Sequence, residues 1–349
     1  MAAVRKNNRH KNAGQVTFIF NILHASHIVS PRPFVKQIAC RATPMEKAAN
    51  SASANVSGSC PPFKLLLSCP AGLSQSQVSV VFDEAYDRIP HQDTNLENSI
   101  SEIWDQRFQK NKSLFNGQKF RYGGRILHGG GANQDSHVCL QLGLTDYRTF
   151  VGTNLNPLWE KFLVPSEDDS ICCQHTSSPL GNGAVVETSD QKIIVLRRSS
   201  NVGEFPGSFV FPGGHPEPQE VGITSHHYVK DLTGSELINQ KVSREMFDSI
   251  IREVVEEIGV PAASLCSPVF IGISRRELNV RPTAFFFIKC SLESKEIQKL
   301  YLSAQDGYES TQLYAVSMID LENMTSNMPG CHQGGFALYK LMAEALKIT

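Results

Sequence analysis

From residue 243 to 258, apolar side chains fall at Met246, Phe247, Ile250, Ile251, Val254, Val255 and Ile258. Steps of three and four residues collect them on one stripe of an α-helix. Shorter stretches alternate with a period of two or are apolar throughout, which marks strands. They lie at 63–68, 78–82, 120–127 and 138–144 in the first half, and at 183–188, 192–197, 208–211, 269–273, 283–290 and 312–316 in the second. The run 283–290 is almost wholly apolar and predicts a strand covered on both faces. Helical spacing returns at 98–108, 293–302 and 335–346, and Thr145 stands where an N-cap would open a short helix at 146–150. The strands 183–188 and 192–197 predict a hairpin that turns at Ser189-Asp190.

The intervening segments divide the chain. Residues 46–60 are rich in Ala, Ser, Asn and Gly and read as a linker. Residues 166–182 are loop-like, and 216–241 are polar with little periodicity, an inserted loop. The expected organisation is an N-terminal extension over 1–60, a small α+β subdomain over 61–175, and a second domain over 176–349. No internal repeat is present.

Composition changes this picture little. Apolar residues make up 41 % and charged residues 19 % of 349 positions, ordinary values for a chain that builds a real core. A formal net charge of −1 supplies no field for nucleic acid or an anionic membrane, and neither is expected as a partner. No apolar run approaches the roughly 20 residues that span a bilayer. The nine cysteines form no C-x-x-C pair, and an odd count predicts free thiols. The first 45 residues carry Arg5, Lys6, Arg9, Lys11, Arg32, Lys36 and Arg41 and no acid. That pattern is shared by transit peptides and by disordered tails, and Met45 offers an alternative start. A cytoplasmic location is expected, or an organelle (mitochondrion or plastid) if residues 1–44 act as a transit peptide.

The chemistry sits on the helix at 243–258. At about 100° per residue, Glu253, Glu256 and Glu257 fall within about 100° of arc at the edge of the apolar stripe. Like charges one turn apart repel by a few tenths of a kcal/mol, roughly, and a cation removes that cost. Carboxylate oxygens are the ligands Mg²⁺ or Mn²⁺ prefer. A solvated acidic face would look the same. The surroundings favour the metal.

Residues 252–260, Arg-Glu-Val-Val-Glu-Glu-Ile-Gly-Val, match every specified position at the end of the Nudix box, R-E-U-x-E-E-x-G-U with U aliphatic. Upstream, Phe211-Pro212-Gly213-Gly214 followed by Glu217 resembles the loop that opens the same box. The chain thus resembles the Nudix hydrolases, which implies an α/β fold: an α/β/α sandwich with a mixed sheet, here preceded by the small α+β subdomain. The resemblance implies Glu253, Glu256 and Glu257 as ligands of Mg²⁺, with Mn²⁺ as a substitute. It further implies Glu253 and Glu257 as catalytic groups, Glu253 as the candidate general base, and Arg252 as their orienting partner. Gly213 and Gly214 lack Cβ and let the backbone approach phosphate oxygens. One departure stands out. About two dozen extra residues separate the glycine pair from Arg252, and the position eight before Arg252 is Arg244, with Glu245 one off. This puts any role for Glu245 in doubt.

The long insert resembles one branch in particular, the UDP-glucose and UDP-galactose pyrophosphatases. Further matches to that branch are Leu114–Gly117 with Lys119–Arg121, Gly143–Arg148, Phe150–Asn154 and Leu196–Ser199. They imply a small-molecule nucleotide sugar as substrate, cleaved to UMP and hexose 1-phosphate. Phe115 and Tyr147 are candidates to stack on uracil, a contact of about 1–3 kcal/mol. Arg198 is placed to grip a diphosphate in bidentate fashion. His215 and Glu217 lie just beyond the glycine pair, and Ser310 is a candidate for sugar or phosphate contact. Two alternatives remain at this level: a Nudix hydrolase of ADP-ribose, a dinucleoside polyphosphate or coenzyme A, and a Nudix-fold binding module without turnover. The sequence says nothing of oligomeric state.

Overall fold

The computed structural model describes residues 61–129, 136–200, 202–226, 232–304 and 309–348. The basic segment, the linker at 46–60 and Tyr308 lie outside them. Ten strands form two sheets: β1 (Phe63–Leu73), β2 (Val78–Phe82), β3 (Gln118–His128), β4 (His137–Asp146), β5 (Gly181–Glu187), β6 (Ile193–Arg198), β7 (Phe209–Val210), β8 (Val269–Arg276), β9 (Pro282–Lys289) and β10 (Ser310–Val316). The helices are α1 (Thr94–Lys110), α2 (Tyr147–Gly152), α3 (Asp169–Cys172), α4 (Leu232–Ile258), α5 (Ser294–Tyr301), α6 (Met318–Met324) and α7 (Gly330–Ile348).

The larger sheet runs β1-β8-β9-β5-β6-β10, with β7 also on β6. All its pairings are antiparallel except β5 with β9. The expected hairpin at Ser189-Asp190 is present, but β5 and β6 pair only at Glu187 and Ile193, and the main neighbour of β5 is the parallel β9. β9 lies inside the sheet, as its apolar run predicts. Alternate residues on the interior strands face opposite layers. Ala184 and Val186 of β5, with Ala284, Phe286 and Ile288 of β9, join the core that holds Met246, Phe247, Ile250 and Val254 of α4. Val185, Phe285 and Phe287 turn the other way, to Phe336, Leu338, Tyr339 and Met342 of α7. The result is a helix–sheet–helix sandwich. Among the described residues, no helix is long and apolar enough to cross a membrane.

The smaller sheet, β2-β4-β3, packs on α4, and its Val78, Val80, Phe120, Leu140 and Leu142 belong to the same core as the α4 stripe. β1 is the edge strand of the larger sheet, paired with β8. Residues 61–175 and 176–349 therefore share both a sheet and a core.

Several boundaries differ from expectation. α4 begins at Leu232, so much of the 216–241 insert is helix; its polar turns pack against the smaller sheet, where Asn239 Oδ1 accepts the Phe82 amide at 2.8 Å. A helix whose outer turns face polar neighbours lacks the apolar stripe that betrays it in sequence. The cap of α2 is Asp146, whose carboxylate takes the Thr149 amide at 2.7 Å, and not Thr145, which is the last but one residue of β4. α7 starts at Gly330 rather than 335, and α3 and α6 are short helices in stretches without helical periodicity. α4 ends at Gly259, at φ +76°, where a Cβ would meet the Leu300 carbonyl oxygen at 2.7 Å.

Candidate active site

The site is built where an extended segment, 213–217, lies along α4. Three glutamates of α4 each receive one backbone amide from it. Glu257 Oε2 accepts from Gly213 at 2.7 Å, Glu253 Oε1 from His215 at 3.4 Å, and Glu245 Oε1 from Glu217 at 3.0 Å. Every second amide of an extended chain points the same way. Positions 245, 253 and 257 fall on one helix face, so the two periods mesh. The other edge of the segment is pinned to β5: Asn182 donates its amide to the Gly214 carbonyl (3.0 Å) and accepts the Gly214 amide through Oδ1 (2.8 Å). Asn182 Nδ2 donates to Ser249 Oγ of α4 at 2.9 Å. A side chain at Gly213 would meet fixed backbone, whereas one at Gly214 would force the Glu253 carboxyl to move. A Cβ on Gly213 would stand 2.3 Å from the Asn182 carbonyl, and one on Gly214 2.3 Å from the Glu253 carboxyl.

Burial governs the charge of these acids. The Glu253 carboxyl is pushed up to about 7, first by burial and then by Glu256 and Glu217, against the opposing His215 amide and Lys119. Glu257 rises well above the usual range, through burial and the Glu253 charge. Burial and mutual repulsion disfavour the charged form of both, a cost that a divalent cation would offset. Glu256 is half-buried and reaches Glu253 electrostatically. Among the described residues, no three Cys, His, Asp or Glu side chains converge as a ready ligand shell, since Glu253 and Glu257 turn one oxygen each toward the loop amides.

Arg252 grips Glu245 with both terminal nitrogens, at 2.5 and 3.1 Å. Glu245 is 3 % exposed, and burial raises its pKa against the pull of Arg252. Glu245 thus has a structural partner: seven residues are about two helical turns, and the pair shares a face. Sequence spacing against the family box hid it, whereas helical geometry alone would have found it.

The remaining candidates separate. His215 sits at the heart of the site, its Nε2 accepting from Arg281 Nη2 at 2.5 Å, and burial with Lys119 and Arg281 holds it neutral. Glu217 meets Lys119 Nζ at 3.4 Å, so the smaller sheet brings a cation to the loop. Arg198 ends β6, donates through Nε to the Glu204 carbonyl at 2.9 Å and reaches Glu257 electrostatically. Ser310 is opposite Arg198 in the β6–β10 register and is held by Tyr301 at 2.7 Å. Phe115 is 58 % exposed in the loop before β3 and is no core residue. Tyr147 packs on Trp104 and Phe150, with ring centroids 6.1 and 6.3 Å apart. Its ring is thus engaged by neighbours from the same half of the chain.

Sequence reasoning missed Asn182, Lys119, Glu204 and Arg281. Lys119 lay inside a segment that matches the UDP-sugar branch; the others carried no local signal. Asn154, also from such a segment, is buried and donates to the Asn279 carbonyl at 2.8 Å. Asn279 and Val280 both adopt left-handed φ, +54° and +46°. For Val280, branched at Cβ, this is a genuine outlier, and such strain costs about 1–3 kcal/mol. The turn delivers Arg281 to His215.

No family model matches the chain. Nudix hydrolase 9 of Arabidopsis thaliana is 68 % identical over 289 residues, 82 % of this chain and 93 % of that protein. Human uridine diphosphate glucose pyrophosphatase is 35 % identical over 268 residues, 76 % of this chain and 86 % of that protein. Among solved structures, the MutT protein of Methanosarcina mazei Go1 aligns with 48 % of this chain and 94 % of its own, at 17 % identity and a TM-score of 0.30. With the two curated relatives aligned over 82 % and 76 % of its length, the chain belongs to the Nudix hydrolase family, hydrolases of phosphorus anhydrides.

Proposed function

We propose that the protein hydrolyses the diphosphate bond of UDP-hexoses, UDP-glucose and UDP-galactose, to UMP and hexose 1-phosphate. One observation carries the chemistry: Glu253 and Glu257, their acidities both weakened by burial, each accept a backbone amide of the 213–217 loop, which lies so close that a Cβ on Gly214 would stand 2.3 Å from the Glu253 carboxyl. Buried, mutually repelling carboxylates fit a divalent cation, and Mg²⁺ is the ion proposed, held by Glu253, Glu256 and Glu257. When bound, such an ion polarises phosphate oxygens and makes water a better nucleophile at neutral pH.

The chain's own residues do the positioning. The Asn182 and glutamate contacts hold segment 213–217 against α4; both glycine amides are taken, by Glu257 and by Asn182, so the pair serves to let the loop close on the helix acids. The Arg252–Glu245 pair fixes the helix end of that frame. Glu253, beside the Glu256 and Glu217 carboxylates, is the residue proposed to take a proton from water. Arg198 and Lys119 supply positive charge on either side of the loop, and exposed Phe115 is the uracil platform proposed. The nucleoside and sugar rest on the relatives, whose human member is a UDP-glucose pyrophosphatase.

Incubation with UDP-glucose, UDP-galactose, ADP-ribose, a dinucleoside polyphosphate and coenzyme A under Mg²⁺, read by chromatography, tests the reading. UMP release from UDP-hexoses is expected, and Glu257→Gln abolishes it. Release from another nucleotide alone overturns the substrate assignment, and an equally active Glu257→Gln overturns the site.

A further inference from the structure

The frame of loop and helix leaves one group of side chains without a task. Arg276 and Arg281, 2 % and 17 % exposed, share one carboxylate, that of Glu204, which lies 2.5 Å from Arg276 Nη2 and 3.1 Å from Arg281 Nη1. Among the described residues, no other acid comes within ion-pair distance of either arginine. Two largely buried guanidiniums on one carboxylate leave surplus positive charge, and buried charge without a full partner is costly. Arg281 is the less satisfied of the two. Its Nε is buried without a hydrogen-bond partner, and its Nη2 donates to the His215 imidazole and not to an acid. Arg276, in contrast, also donates through Nε to Asn279 Oδ1 at 2.6 Å.

The backbone that delivers Arg281 is the strained Asn279–Val280 turn, held by Asn154 and Arg276. Strain of this kind persists where surroundings over-determine it, and here its effect is to aim one side chain. The target is the catalytic loop. A Cβ placed on Gly181 would stand 3.3 Å from Arg281 Nη2 and 3.6 Å from the Gly214 carbonyl oxygen, so the guanidinium lies beside the glycine pair. Glu204 reaches the arginines from a second strained turn, with Phe205 at φ +49° and its ring 4.9 Å from the Arg276 guanidinium. Arg198 holds the same turn through the Glu204 carbonyl.

We propose that Arg281, together with Arg198, is the anion-recognition subsite for the substrate's diphosphate, and that the Glu204 carboxylate is an internal stand-in that the diphosphate displaces. A guanidinium fork matches phosphate oxygens as it matches a carboxylate, so the exchange conserves its hydrogen bonds. Displacement leaves Arg276 to be neutralised by the same incoming charge. The inference rests on the chain's action on a diphosphate, and not on which sugar or nucleoside that diphosphate carries.

Calorimetric binding of non-hydrolysable methylenediphosphonate to the full chain in Mg²⁺ tests it without involving the sugar. Arg281→Gln is expected to weaken binding more than tenfold, and Arg281→Lys, which keeps charge but not the fork, to fall between. Glu204→Gln, which removes the competing anion, is expected to tighten binding several-fold. Melting curves accompany each variant, and Arg281→Lys with Glu204→Gln decide the matter if Arg281→Gln does not fold. Wild-type protein that binds no diphosphonate, Arg281 variants that bind as the parent does, or a Glu204→Gln that binds more weakly than the parent each overturn the proposal. If UDP-glucose is not cleaved but this pattern holds, the sugar assignment falls and the subsite stands.

Discussion

Glu257 and Gly213 are joined by a 2.7 Å hydrogen bond from the glycine amide to Oε2, although that carboxylate is buried and disfavoured as an anion by Glu253. The bond couples the position of the 213–217 loop to the charge of the helix acids.

Gly214→Ala tests the closeness of the fit. The added Cβ would lie 2.3 Å from the Glu253 carboxyl. Overpacking of this kind costs about 1–3 kcal/mol of stability, and displacement of the catalytic loop by about 1 Å lowers kcat by about 10²-fold. Thermal melts and initial rates on the preferred nucleotide check both numbers; a parent-like rate contradicts the contact.

The pH dependence without divalent ions has a definite sign. The folded pKa of Glu253, about 7, lies above its unfolded value of 4.5, so the unfolded chain loses its proton first. Stability from this group is complete below pH 4.5 and falls as pH rises toward 7, and Glu257 acts in the same direction. In chelator, the Glu253→Gln variant gains on the parent in Tm between pH 5 and 8. Added Mg²⁺ raises the parent's Tm more at pH 8 than at pH 5.5. A metal effect independent of pH argues against Glu253 and Glu257 as the ligands.

Glu245→Ala strands Arg252 and frees the Glu217 amide. Loss of one partner from a buried pair costs about 3–5 kcal/mol, and the 30 % exposure of the Arg252 side chain places this case near the lower figure. Glu245→Gln, which keeps an acceptor for the amide, costs less. Urea denaturation separates the two; equal losses would show that the amide contact contributes nothing.

Asn154→Ala removes the donor that holds the Asn279 carbonyl at 2.8 Å. An unpaired buried acceptor costs about 1–3 kcal/mol. Because the released turn carries Arg281, KM is expected to rise several-fold at the same time. Stability loss without change in KM would make Asn154 a purely structural residue.

The core of the fold was legible because its elements bury apolar side chains at regular intervals. The α4 stripe and the apolar β9 read directly. The glutamates proposed as metal ligands were visible because one helix carries all three. What stayed hidden was assembled across distance: Arg281 and Glu204 are 77 positions apart, and Asn182 contacts Gly214 from a neighbouring strand. The first turns of α4 were concealed for another reason: they send few apolar side chains inward, Ile238 among them, and meet the smaller sheet also through Asn239. Phe115 and Tyr147, chosen as equals by residue type, differ in fact by exposure, which only packing reveals.

Strand β1 carries a consequence for heredity as well as for engineering. It closes the outer edge of the large sheet against β8, while its chain neighbours build the small sheet behind α4. A shortened product that starts at residue 176 would keep every glutamate of the box yet offer β8 as a naked edge, a template for aggregation. The catalytic half is thus no portable cassette. Splicing, truncation or recombination that parts residues 63–73 from the box leaves β8 without its edge partner.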